Sequence, residues 1–144
     1  GEILNSRGNR IATYGFLIQH RPEGAELHVT NIQGVRRKGR SLGALSRHLG
    51  ENWRIAVAKQ LKERATSEGM KVVGVLPGYF EGWETPWEYE RVVRQSRQTF
   101  RKAGIETDDR LVRKPNERDM ERLRKYKAQK RAKKKRAKRE RKRK

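Results

Sequence analysis

The chain has 144 residues, 38 lysines and arginines against 17 aspartates and glutamates, and a formal net charge of +21. It contains no cysteine, which excludes disulfides and thiolate metal sites, and no apolar run approaches the about 18 residues needed to span a bilayer. No signal-peptide core is visible. His20, His28 and His48 stand apart from one another, so no metal is expected. No P-loop, zinc motif or Ser-His-Asp spacing is present. The first residue is Gly rather than Met, which fits a processed chain or a part of something longer. Charge is divided unevenly: residues 1–109 carry 18 basic and 13 acidic side chains, and residues 110–144 carry 20 and 4. This predicts a globular domain over 1–114 and a polybasic extension, helical or disordered, over 115–144.

Residues 10–19 are rich in β-branched and aromatic side chains and predict a strand. Arg21-Pro22-Glu23-Gly24 is a turn, with Pro early and Gly late. Residues 26–33 alternate apolar and polar at Leu27, Val29 and Ile32 with one slip, which predicts a second strand antiparallel to the first. A basic, glycine-broken stretch follows, Arg36-Arg37-Lys38-Gly39-Arg40-Ser41. Leu42, Leu45, Leu49, Trp53, Val57 and Leu61 then recur every three or four residues, on one helical face. Gly50 interrupts that pattern, and Asn52 is placed to cap a second segment. Gly69 ends the helix. Residues 71–76 form a short apolar run before Pro77 and predict a buried strand, parallel to an earlier one because a crossover helix precedes it.

Residues 78–89 form an aromatic-rich loop. A helix is expected from about Trp87 to Ala103, with Tyr89, Val92, Val93, Ser96, Phe100 and Ala103 on one face and Gly104 as its stop. Residues 105–113 hold room for one short strand. Pro115-Asn116 marks a boundary, and Asn116 with Asp119 predicts a helix start. From Lys127 onward, 13 of 18 residues are basic. Their propensity favours helix, while like charges at i,i+4 oppose it. The expectation is disorder or fraying unless an anion neutralises the charge.

Such a cluster attracts phosphates and releases their counterions. If about 8 charges met phosphates, affinity would fall roughly 10³-fold between 50 and 200 mM salt. No aromatic follows Tyr126, so base stacking is not the mode of binding. Lys127, Lys130, Arg131, Lys134, Lys135, Lys138 and Arg141 are the candidate contacts to RNA, DNA or a ribosomal surface. A solubilising or targeting tail is the plainer alternative. No apolar anchor for a membrane surface accompanies the charges. An intracellular location, cytoplasmic or beside nucleic acid, is expected.

The order strand, basic glycine loop, helix, strand, helix, strand makes a second signal. Main-chain N–H groups where a glycine-permitted turn opens into a helix form an anion cradle. With Arg36-Arg37-Lys38-Gly39-Arg40-Ser41 in that place, and Phe100-Arg101-Lys102-Ala103-Gly104-Ile105 near the end, residues 11–114 resemble the GNAT N-acetyltransferase superfamily. The loop resembles its R/Q-x-x-G-x-G/A pyrophosphate loop, and the later segment its terminal Tyr-x-x-x-Gly-Phe signature. The resemblance implies a mixed-sheet α/β fold and acetyl-CoA as cofactor. It implies binding of the pyrophosphate by Arg36, Lys38, Gly39, Arg40 and Ser41, and an N–H near Val35 that polarises the thioester carbonyl. Ser41 stands where the family prefers Gly or Ala. Phe100 stands where many members carry a thiolate-protonating Tyr, and a phenyl ring has no proton to give. The plain alternative for Arg36–Arg40 is a solvated basic loop or one more nucleic-acid contact.

Residues 78–90 hold five of the ten aromatics and four carboxylates, Glu81, Glu84, Glu88 and Glu90. Acid and aromatic rings together suit a cationic amine or a basic partner segment. Glu81 and Glu84 are the candidate catalytic bases, against the plainer reading of a hydrophobic lid with glutamates facing water. Two functions remain. One is an acyl-CoA-dependent N-acyltransferase, active or degenerate, directed to nucleic acid or the ribosome by its tail. The other is a non-catalytic RNA- or DNA-binding or ribosome-associated protein.

Overall fold

The computed structural model describes residues 1–35, 39–78, 85–112 and 116–142. The chain divides into two compact units, Gly1–Gly78 with Val92–Val112, and Tyr79–Arg91 with Arg113–Lys144. The first unit is α/β, built on a five-stranded mixed sheet in the order β1-β2-β3-β4-β5. Its strands are β1 (Glu2–Leu4), β2 (Arg10–Arg21), β3 (Gly24–Gly34), β4 (Lys71–Val75) and β5 (Glu106–Asp108). The helices are α1 (Gly39–Leu49), α2 (Trp53–Ser67), α3 (Pro86–Lys102) and α4 (Glu117–Lys142). Residues 86–91 of α3 fall in the second unit and 92–102 in the first.

β1, β2 and β3 are antiparallel, and β3, β4 and β5 run parallel. The β2–β3 hairpin closes at Arg21 opposite Gly24, so Pro22 and Glu23 make its turn as the sequence predicts. Strand β1 is three residues long and was not anticipated, since three residues carry no periodicity.

The run from Leu42 to Leu61 is two helices rather than one. Gly50 takes φ 69°, which other residues rarely adopt, and turns the chain between them. Asn52 then caps α2, its side-chain oxygen accepting from the Arg54 N–H at 3.0 Å. The two helices bring Leu42 and Trp53 onto Ile11 and Ala12, with Ile3, Ile32, Leu45 and Val57 around them. The Arg54 guanidinium lies 4.7 Å over the Trp53 ring. Burying a large apolar side chain here contributes about 1.5–3 kcal/mol. Val93 and Phe100 of α3, and Ala103 just after it, are buried in the first unit.

In the second unit α4 is helical over Glu117–Lys142, where charge repulsion was expected to prevail. The helix has local compensation at its start. Asn116 accepts from the Asp119 N–H at 2.9 Å, and Asp119–Arg122 and Glu121–Lys125 pair along it. Among the described residues no helix is long and apolar enough to cross a membrane.

Candidate functional site

The geometry that matters begins at one residue, Thr30. Opposite Gly15 stands Asn31, and opposite Phe16 stands Val29, so Thr30 has no partner on β2. This β-bulge is the slip in the alternation of residues 26–33, and a bulge bends and twists its strand. The bend has a consequence on the other side of β3. Val29 opposite Gly74 is the last β3–β4 pair. Beyond it β3 stays with β2 as far as Gly34 opposite Ala12. Strand β4 instead stays with β5, through Val75 opposite Asp108 and the Leu76 N–H bonded to the Asp108 carbonyl at 3.1 Å. The two parallel strands therefore part at the bulge.

Helix α1 is the next element of the chain after β3. In a helix's first turn the N–H groups have no acceptor within the helix, so those of Gly39, Arg40 and Ser41 point outward. No acidic side chain occupies that turn. Among the described residues a β-carbon on Gly39 would meet nothing within 4 Å. Arg36 and Lys38 lie outside the described residues, as do Glu81 and Glu84.

Val35 does not have the role expected of it. Its N–H donates to the Ile11 carbonyl at 2.9 Å and extends the β2–β3 pairing. Alternation back along the strand puts the N–H and C=O of Gly34 and Ile32 on the side away from β2, toward the opening. The Ile32 carbonyl is met there by Arg54 Nε at 3.4 Å.

Sequence reasoning missed a polar group on the same strand. Leu27 faces α2, so Glu26 and His28 face the opposite side of the sheet. His28 Nε2 lies 3.0 Å from Glu26 Oε2, and Arg21 Nε lies 3.1 Å from the same oxygen. The hydrogen bond with His28 leads the causes that hold the Glu26 carboxyl below its usual range, with the Arg21 charge also acting that way. His28 is buried, one residue before the final β3–β4 pair. Asn31 Oδ1, just past the bulge, is buried without a hydrogen-bond partner. Asp108 accepts from Arg110 through Nη2 at 2.6 Å and Nε at 2.9 Å, which lowers its pKa to about 2. His28 and Asp108 also interact through their charges. The proximity of Glu26, His28 and Asp108 was illegible because β5 lies far along the chain.

Phe100 is buried, and its ring occupies the space over Gly74; a β-carbon there would lie 2.5 Å from ring atoms. Its carbonyl accepts from the Ile105 N–H at 2.9 Å.

In the second unit, the start of α3 receives the chain's own basic helix. Trp87 and Tyr126 stack with centroids 4.4 Å apart and planes 8° apart. The Arg122 guanidinium lies 6.0 Å from the Trp87 ring, and Lys127 Nζ lies 2.8 Å from Glu90 Oε2. Lys130 approaches the Tyr126 ring at 5.7 Å. Arg131, Lys134, Lys135 and Lys138 are exposed along α4. Arg141 lies in α4 beyond the residues whose side chains are described.

Among the described residues no group of three His, Asp or Glu side chains is arranged to hold a metal ion. Comparison with protein-family models, curated proteins and solved structures gives no match.

Proposed function

We propose that the chain is a GNAT-like, acyl-CoA-dependent N-acyltransferase whose basic helix α4 directs it to RNA, DNA or a ribosomal surface. The observation that carries this reading is the parting of β3 and β4 at the Thr30 bulge, on the strand that precedes the basic glycine loop and α1 in the chain. An opening between parallel strands, followed in the chain by a basic glycine loop and a helix N-terminus, suits a long ligand that carries a diphosphate at one end.

In this reading the amides of Gly39, Arg40 and Ser41 hold the pyrophosphate of acetyl-CoA, and Arg36, Lys38 and Arg40, their neighbours in sequence, supply positive charge. Acetyl-CoA supplies an activated acyl group and a thiol leaving group. The freed N–H of Ile32 or Gly34, not that of Val35, polarises the thioester carbonyl. Asn31 Oδ1 accepts from the incoming ammonium. His28, oriented by Glu26 on its Nε2, accepts the proton that the amine must lose before attack. Phe100 packs against Gly74 and transfers no proton.

Calorimetry with acetyl-CoA tests the reading. Micromolar binding is expected, weakened at least about tenfold in Gly39→Glu, where a carboxylate would face the diphosphate. Absence of heat at millimolar acetyl-CoA would remove the enzyme. A second reading, binding of nucleic acid without catalysis, is supported by the exposed cations from Arg131 to Lys138, and it would then stand alone.

A further inference from the structure

Between Glu90 and Glu106 the chain has no acidic residue, and its cations there are Arg91, Arg94, Arg97, Arg101 and Lys102. Most of this stretch is α3. At 3.6 residues per turn, Arg94, Gln95, Gln98, Arg101 and Lys102 share about 120° of the helix's circumference. All of them are exposed, while Val93 and Phe100 on the opposite side are buried. Arg97 lies off this stripe and pairs with Asp109 at 2.8 Å. Among the described residues Arg94, Arg101 and Lys102 have no ion-pair partner. The macrodipole accounts for cations in the last turn, where Arg101 and Lys102 stand, but not for Arg94 about two turns earlier. The surroundings limit what can reach the stripe. Leu27 faces α2 and pairs with Val72; Gly74, two residues on, takes Phe100 of α3, so both helices lie on one face of the sheet. Lys62 Nζ of α2 donates to the Gly104 carbonyl, just past the end of α3, at 2.7 Å. The stripe is therefore a low ridge about 12 Å long with a helix beside it.

We propose that this ridge is a docking surface for double-stranded RNA, laid across the minor groove. Its cations are free to neutralise phosphates, and no carboxylate of α3 stands among them to repel the backbone. B-form DNA takes a protruding helix into its deep major groove, and α2 keeps α3 from sinking into one. The minor groove of an A-form duplex is wide and shallow, so a low ridge can lie across it. That groove displays 2′-hydroxyls, which both donate and accept hydrogen bonds, and so do the carboxamides of Gln95 and Gln98. Along the helix these amides stand between Arg94 at one end and Arg101 with Lys102 at the other. The order places cations over the two phosphate strands and amides over the groove between them. The surface belongs to the first unit, and its argument rests neither on the acyltransferase nor on α4 in the second.

Fluorescence anisotropy of the full chain with an RNA duplex and a DNA duplex of the same sequence, across a salt series, tests this. The wild type should bind the RNA duplex at least about fivefold more tightly, the difference that one or two hydrogen bonds to 2′-hydroxyls supply. Gln95→Ala with Gln98→Ala removes no charge and should abolish that preference by weakening RNA binding alone. Arg94→Gln, Arg101→Gln and Lys102→Gln together should flatten the slope of log affinity against log salt by up to about 2.7. Arg7→Gln with Arg47→Gln, which takes exposed cations from elsewhere in the unit, should leave the slope nearly unchanged. Lys134→Gln, Lys135→Gln and Lys138→Gln in α4 should weaken both duplexes alike and keep the RNA preference, so a failure of α3 is told apart from a failure of α4. Circular dichroism should be unchanged throughout, since every substituted side chain is exposed. Equal affinity of the wild type for the two duplexes, or tighter binding of DNA, would overturn the proposal. So would a slope that flattens no more per charge in the α3 variant than in the Arg7 and Arg47 variant.

Discussion

Phe100 fills the space that a side chain at Gly74 would need. The glycine lets α3 approach β4 closely at the point where β4 leaves β3. Gly74→Ala should therefore cost about 1–3 kcal/mol through overpacking. Phe100→Leu should cost less than the about 3–5 kcal/mol of full truncation. The pair should couple: in the Phe100→Leu background the Gly74→Ala penalty should shrink by at least about 0.5 kcal/mol. Urea denaturation of the four proteins in the cycle measures this, and additive penalties would place the crowding elsewhere.

The stack of Trp87 on Tyr126 should hold α4 more firmly than the ion pair beside it. Lys127–Glu90 is half exposed, and such pairs contribute about 0–1 kcal/mol. Trp87 and Tyr126 are half-buried, and an aromatic pair contributes about 0.5–1.5 kcal/mol beyond the area it covers. Tyr126→Ala should shift Trp fluorescence to longer wavelength and speed amide exchange at residues 117–130. Lys127→Gln should do neither appreciably. Equal effects would make charge the anchor.

Acid should find a specific weak point at Asp108. Arg110 lowers its pKa from the usual 3.8 to about 2. A lowered carboxyl pKa stabilises the fold fully above the unfolded value, and that stability is lost as pH falls through the folded one. Asp108→Asn should thus be less stable than wild type near neutral pH, and the difference should close between about pH 4 and pH 2. Urea midpoints across that range check it; a gap that widens toward acid would reverse the sign of the argument.

What was legible in the sequence is what local chemistry decides. Pro22 and Gly24 announced the hairpin, and Gly50 with Asn52 announced the break between α1 and α2. The misplaced alternation between Val29 and Ile32 was visible as a slip, but a slip does not say which partner leaves. Only the β3–β4 register shows that β4 departs there. Glu26 and His28 are two apart and so share a strand face, yet their pairing was missed, and Asp108 reaches them through a crossover that no local pattern encodes. The Trp87–Tyr126 stack answers in part why the aromatic, acidic stretch exists: its basic partner is the chain's own helix. That packing, together with the capped first turns, is what propensity arguments about the isolated tail leave out.

If His28 accepts the amine proton, its loss should separate chemistry from binding. His28→Gln should lower kcat by about 10²-fold or more and leave acetyl-CoA affinity unchanged. Glu26→Gln should lower kcat less, because it acts by orienting the imidazole. Steady-state rates for a polyamine or lysine-peptide acceptor, with calorimetry for acetyl-CoA, measure this. Undiminished turnover in His28→Gln would return the base to Glu81 or Glu84.

The outer half of α4 should determine how binding to nucleic acid depends on salt. Each cation that neutralises a phosphate of a duplex contributes a slope of about −0.9 in log affinity against log salt. Lys134→Gln, Lys135→Gln and Lys138→Gln together should flatten that slope by up to about 2.7. Lys127 is already paired with Glu90 and should contribute less than any of the three. Contacts of this kind carry no base readout, so the affinity loss should be the same for duplexes of unrelated sequence. Fluorescence anisotropy with two such duplexes, across a salt series, tests both points at once. A loss confined to one sequence would mean that α4 reads bases, and an unchanged slope would move the contact surface off α4 altogether.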